Sequence, residues 1–297
     1  MLTKTAASLL TAFMVLAVQD SRLAGANAVP PASGRAFHEL NLNGLSNQVG
    51  LSIVGIQRRG TSYSLDISGA SVVARPKDSR LPVLSGDDLL GLQLQLKDLA
   101  GSRSMIEIAG VGTMKYWAGP PGTVPTYTLT YTSATHSDPQ PLCTANSNDA
   151  ILFAGDRYDA ERKTVIATGD AAAGWFNIAC SGTALAKLHL TRHTEASQIV
   201  KTTAIERQTM LKMFTADVCG DGTSFTVHGQ PLLWADANHL TGFNRPAATL
   251  EAVWTERGAV CLDTPRRPEL AAAIAAHCGQ LPRCTNQRGY VISGNPL

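Results

Sequence analysis

Thr126-Tyr127-Thr128-Leu129-Thr130-Tyr131 alternates polar and bulky side chains without a break. In an extended chain, side chains two apart share a face, so a segment with this period can bury one side and solvate the other. The same period recurs upstream in Tyr63-Ser64-Leu65-Asp66-Ile67 and in Met105-Ile106-Glu107-Ile108. Glycines at 44, 50, 55 and 60 recur with aliphatic residues between them, which predicts short strands, tight turns and a loose internal repetition. The chain from 37 to about 140 therefore reads as β-rich. Gly119-Pro120-Pro121-Gly122 is expected as a loop, and 134–149, rich in Ser, Asp, Pro and Asn, as another.

Downstream, Ile151-Leu152-Phe153-Ala154 and Lys163-Thr164-Val165-Ile166-Ala167 predict a strand pair around a polar connection. Past Trp175 the pattern changes. A helix is expected over 183–190, with Leu185, Leu188 and Leu190 facing inward, and a second over 204–214. Strands are expected at 224–227, 232–234 and 250–254, and Pro268 opens a short alanine-rich helix over 269–277. The fold class is α+β: a β-rich N-terminal part, two or three helices in the C-terminal half, and stabilisation by disulfides. The boundaries that follow are a leader at 1–28, a flexible N-terminus at 29–36, a Gly-spaced β-rich region at 37–124 and a C-terminal domain at 125–297.

The leader has one early charge, Lys4, then an apolar or small run over 6–18 and a polar stretch that ends at Ala26-Asn27-Ala28. Small residues at −3 and −1 suit a signal peptidase, so cleavage is expected after Ala28. The run is short of the roughly 20 residues that span a bilayer. Leu23-Ala24-Gly25-Ala26 lacks the cysteine that a lipobox needs for acylation, so no stable membrane anchor is expected. The six cysteines, Cys143, Cys180, Cys219, Cys261, Cys278 and Cys284, all lie downstream of that point. An even count in an exported chain predicts disulfides, and sequence alone does not choose the pairing. The expected set follows chain order: Cys143 with Cys180, Cys219 with Cys261, and Cys278 with Cys284. No Cys-x-x-Cys favours a metal site instead.

The stretch Thr215-Ala216-Asp217-Val218-Cys219-Gly220-Asp221-Gly222-Thr223-Ser224-Phe225-Thr226 resembles the ADYC domain of exported bacterial proteins. The family's tyrosine is replaced here by Val218. Supporting stretches are Trp175-Phe176-Asn177-Ile178-Ala179-Cys180, Glu251-Ala252-Val253-Trp254, and Gly258-Ala259-Val260-Cys261, followed by Cys278 and Cys284. The resemblance covers roughly 125–285. It implies export and disulfide bonding, and no particular activity.

A net charge of +2 without clustered basic residues gives no case for nucleic acid. Asp217-x-Cys219-x-Asp221-Gly222 has the spacing of half a calcium loop, but a cysteine stands where an oxygen ligand belongs and His228 where a bidentate carboxylate belongs. A turn with Cys219 in a disulfide is the better expectation. His189 and His193 are four apart, a zinc spacing, yet Leu190 stands where a hydrolytic site needs glutamate. Exposed or capping histidines are expected there. No Gly-x-Ser-x-Gly and no Gly-rich phosphate loop occurs. Asp156, Asp159, Asp170, Asp217, Asp221, Asp236 and Glu251 are carboxylate candidates for a glycosidase pair. Trp117, Trp175, Trp234 and Trp254 are candidates for stacking on sugars, with core packing their commoner use. No catalytic residue, metal or cofactor is assigned. The expected function is a non-catalytic binding or structural domain in the periplasm or outside the cell, its partner an unidentified envelope or extracellular ligand. The alternative is a secreted hydrolase of such a polymer that uses an Asp/Glu pair or a histidine.

Overall fold

The alternating segments become strands of one large antiparallel sheet. A computed structural model describes residues 36–144, 148–194, 196, 201–238, 248–285, 289 and 291–296. The leader, its expected cleavage at Ala28, and all but the last residue of the 29–36 segment lie outside them. In chain order come β1 (Glu39–Asn41), β2 (Ser52–Arg58), β3 (Thr61–Ser68), β4 (Ser71–Pro76), β5 (Leu84–Ser85), β6 (Gln93–Lys97), β7 (Arg103–Lys115), β8 (Thr123–Ser133), β9 (His136–Pro141) and β10 (Asp149–Ala154). A small hairpin of β11 (Arg157–Asp159) and β12 (Thr164–Ala167) leads into β13 (Trp175–Cys180). Then follow α1 (Ala184–Leu190), α2 (Ala204–Thr215), β14 (Leu233–Asp236), β15 (Ala248–Thr255), β16 (Gly258–Leu262), α3 (Ala271–Cys278) and β17 (Val291–Pro296).

The large sheet runs β1-β13-β10-β8-β7-β6-β2-β3-β4-β5, with β9 also on β8. Tyr127, Leu129 and Tyr131 of β8 point into its core with Leu94, Leu96, Ile106 and Ile108. The Tyr127 hydroxyl accepts a hydrogen bond from Val72 N at 3.2 Å, so β4 packs across β8. Position 124/125 falls inside β8, which pairs with β7 along its length.

β10 and β13 are buried on both faces. Leu152, Phe176 and Ile178 join the first core, while Ile151, Phe153 and Ala179 join a second. This is why Ile151-Leu152-Phe153-Ala154 is an unbroken apolar run. The second core is completed by α1 and α2 and by a four-stranded sheet, β14-β17-β15-β16, through Met210, Met213, Trp254 and Val291. Thr183 caps α1, and Thr203 with Glu206 forms a capping box on α2, so both starts follow from local sequence.

The protein is thus α+β and mostly β, with three helices in the C-terminal half and three disulfides. Several local expectations need correction. Residues 224–227 form no strand. β10 and β12 do not pair with each other: β10 lies between β8 and β13, and β12 pairs with β11. The 134–149 segment is not all loop, because β9 pairs with β8. Its side chains are mostly exposed, so backbone pairing alone makes it a strand and no alternation announces it. Gly44, Gly50 and Gly60 occupy turns at positive φ, whereas Gly55 is mid-strand opposite Gln95.

The disulfide pairing also departs from chain order. Cys143 bonds Cys180 as expected, but Cys219 bonds Cys278 and Cys261 bonds Cys284. The cause is the path after β16. Leu262 N donates to Pro282 O, and Cys284 N donates to the Asp263 side chain, which lays the 282–284 segment beside β16 and Cys261. Cys278 ends α3 and meets the turn after α2.

Candidate functional site

A cleft of about 450 Å3 opens where α1, the end of α2, the β7–β8 connection and the chain around β14 meet. Its walls include Trp117, Phe214, Trp234, Lys187, His228 and Gln230, with Ser181, Gly182, Gly229 and Leu232 between them.

Each wall is held by its own local structure. Trp117 follows β7, and its backbone N–H donates to Leu190 O at 2.8 Å. Arg192 secures the rest of that connection. Its guanidinium lies 3.5 Å over the Tyr116 ring and donates to the carbonyls of Ala118 at 3.3 Å and Pro120 at 2.9 Å. The indole of Trp117 remains 50 % exposed on this pinned support. Gly182 sits at φ +87, and a Cβ there would collide with the His228 imidazole, so the turn into α1 admits that ring only because residue 182 has no side chain. Phe214 meets Trp234 edge-on, with ring centroids 5.4 Å apart. Gln230 donates to Arg266 O at 3.1 Å. Lys187 is half-buried, and that burial, reinforced by the like charge of Arg266, lowers its pKa. No carboxylate is among the described residues that line the cleft.

Trp117 and Trp234 thus meet in the cleft, while the other two tryptophans are structural. Trp254 is fully buried with its indole N–H on Ser293 Oγ at 2.8 Å, and Trp175 lies under the Arg157 guanidinium. No local pattern marks Lys187, Phe214 or Gln230, which come from separate elements.

The carboxylate candidates are dispersed among separate partners. Asp156 pairs with Arg207, Asp217 with Lys212 and Glu251 with Arg266, all buried. Asp236 lies 3.7 Å from His193 Nε2. Asp159 accepts the backbone N–H groups of Glu161 and Arg162 in a turn, and Asp170 lies in a single 3-10 turn, Gly169–Ala172. Asp221 is held down at about 2 by the backbone N–H of Thr223, with help from His277 at 2.8 Å. Cys219, Asp221 and His277 are close enough to suggest a metal centre, but the sulfur of Cys219 is bonded to Cys278 and offers no thiolate.

The two histidines of the zinc spacing are buried rather than exposed or capping. α1 ends at Leu190, so His193 lies beyond it and the four-residue spacing does not place both rings on one helix face. His189 stacks on Phe153 at 4.6 Å and meets Thr194 Oγ1 at 2.8 Å, while His193 Nδ1 meets Thr191 Oγ1 at 3.1 Å. Burial first, then the charge of Arg192, pushes the pKa of His189 down to about 4. The unfolded chain takes up this proton near pH 6.5 and the native protein resists it until about pH 4, so stability is full above 6.5 and falls as pH drops through that window. We expect the contribution to be about 2–3 kcal/mol between pH 7 and pH 4.5. Urea unfolding at the two pH values measures it, and His189→Asn should flatten the difference relative to wild type.

The stretch that carries the ADYC resemblance lies at the end of α2 and is architectural. Ala216 caps α2 in the left-handed conformation. Asp217 Oδ2 accepts from Lys212 Nζ at 2.6 Å and from Gly222 N at 2.9 Å. Lys212 Nζ also donates to Arg162 O and Gly220 O. Val218, in the place of the family's tyrosine, is buried and accepts from Ala259 N at 3.0 Å. The calcium-like spacing is therefore a turn built on a buried ion pair and a disulfide.

These features define a disulfide-linked α+β protein with an aromatic cleft beside a structural signature turn. The ADYC domain model matches residues 86–268, more than half of the chain, and the protein belongs to that family. No curated protein and no solved structure matches it.

Proposed function

We propose that this is an exported, non-catalytic domain that binds a saccharide polymer of the cell envelope or extracellular space. The observation that carries the reading is the cleft, where two tryptophans and a phenylalanine from three separate elements surround a space large enough for a sugar residue or two. Flat apolar rings beside a few polar groups are what a pyranose face requires. The buried carboxylates have partners of their own, which favours binding over acid–base hydrolysis of that polymer. Three disulfides suit an oxidising compartment, and the signal-like leader with expected cleavage after Ala28 suits export. No helix among the described residues is long and apolar enough to cross a membrane.

Titration of the full chain with soluble envelope oligosaccharides, followed by tryptophan fluorescence, tests the binding. Trp117→Ala should weaken it at least about tenfold, as expected for a central aromatic anchor. The half-exposed position should leave the melting temperature nearly unchanged. Unaltered fluorescence across neutral and acidic oligosaccharides would remove the proposal. Release of reducing ends from the same oligosaccharides would replace it with the hydrolase.

A further inference from the structure

The cation in the cleft differs from the buried cations that are paired with carboxylates among the described residues. Lys212, Arg207 and Arg266 are buried and each meets a buried carboxylate, and Arg157 meets the buried Glu39. Lys187 is half-buried on α1, and its ammonium has no carboxylate or hydrogen-bond acceptor among the described residues. Burial first, and then the like charge of Arg266, disfavours its charged form. Desolvating an ammonium without a counter-ion costs free energy, and an anion brought beside it offsets that cost. Lys187 faces a cleft whose described lining contains no carboxylate and whose remaining character is aromatic.

We propose that the cleft selects a carboxylated pyranose, with the sugar carboxylate as the counter-ion of Lys187 and the ring face against the tryptophans. This rests on the saccharide-binding reading and narrows it to acidic sugars. Burial strengthens the attraction between ammonium and carboxylate, and the aromatic wall excludes water from it. A hexuronate meets both needs, whether it arrives as a free monosaccharide or within a polyuronate.

The test uses the full chain and three probes: galacturonate pentamer, free galacturonate and cellopentaose. Wild type should bind the acidic pentamer at least about tenfold more tightly than the neutral one, and added salt should reduce the difference. Lys187→Met keeps the apolar stem and removes the charge, so it should erase the preference for the acidic pentamer over the neutral one. Lys187→Arg should retain part of it. Lys187→Met should also raise the melting temperature of the free protein, because an uncompensated cation has been removed. A lysine whose amine is simply hydrated at the surface would yield no such gain.

Equal binding of acidic and neutral pentamers, both lost in Trp117→Ala, would overturn the acidic specificity and leave the saccharide reading standing. A preference that survives Lys187→Met would overturn the role of Lys187. Failure of wild type to bind any probe would overturn both proposals. Free galacturonate binding as tightly as the pentamer assigns the site to the monosaccharide, and much weaker binding assigns it to the polymer; either supports the carboxylate contact.

Discussion

Asp217→Ala should destabilise the protein by about 3–5 kcal/mol, the cost of stranding a buried charge. The side chains of Lys212 and Asp217 are 1 % and 0 % exposed, and their ion pair is 2.6 Å long. Without the carboxylate, Lys212 Nζ keeps only the carbonyls of Arg162 and Gly220, which neutralise no charge. Gly222 N also loses its acceptor, so the turn that carries Cys219 loosens at its base. Two further variants separate these effects. Lys212→Met removes the cation and leaves a buried carboxylate that still receives the Gly222 N–H. Joining both changes removes both charges, so the double variant should be less destabilised than the sum of the single ones. Urea denaturation of the four proteins measures the coupling. A loss below about 1 kcal/mol in Asp217→Ala would mean that the pair is solvated and that the signature turn is not held as described.

Replacing both cysteines of the Cys219–Cys278 bridge by serine should cost about 4 kcal/mol, within the usual 2–5 kcal/mol for a native disulfide. The bridge spans 59 residues of sequence, so the unfolded chain gains a large loop's worth of freedom when it is opened. It also joins the signature turn to the end of α3, and that helix offers the second core one fully buried side chain, Ile274. We therefore expect α3 to be the element most affected, with its amides exchanging fastest in the variant. Peptide mapping of the wild-type protein under non-reducing conditions supplies an independent check. The peptide containing Cys219 should be linked to that containing Cys278, and Cys261 to Cys284. Recovery of a Cys219 to Cys261 link would show that the chain-order pairing is right after all.

Legibility differed between strands and their partners. Thr126 to Tyr131 and Tyr63 to Ile67 announce themselves because one face of each strand is buried and the other is wetter, and a period of two records that difference. β9 is silent because its side chains meet mostly solvent. Residues 224–227 misled for the opposite reason: a bulky Phe225 with an inward-facing ring looks like a strand residue, but the segment has no neighbouring strand to pair with. The helices expected over 183–190 and 204–214 were readable from their apolar spacing, and Thr183 and Thr203 cap them through contacts made within three residues.

The candidate site was barely legible. Trp117 and Trp234 could be named as stacking residues, but so could Trp175 and Trp254, which are packed inside. Lys187 had no distinguishing neighbour in the chain. Its character depends on carboxylates that stand elsewhere, beside Lys212, Arg207 and Arg266, and not beside it.

Local sequence is enough for the strand-rich start, the helices near 184, 204 and 271, the presence of paired cysteines and the family signature. All of these depend on residues close together in the chain. Tertiary structure alone decided which strands became neighbours, which cysteines met, and which aromatic and charged side chains share a cleft. Local periodicity says which face of an element turns inward, but not what that face will meet. The second core takes side chains from β10, β13, α1, α2 and the four-stranded sheet, so those partners are set only where these distant elements pack together. The turn at Ala216-Asp217-Val218-Cys219 lies on both sides of that division: its residues are recognisable as a motif, and packing supplies the buried ion pair and the disulfide by which they hold the fold together.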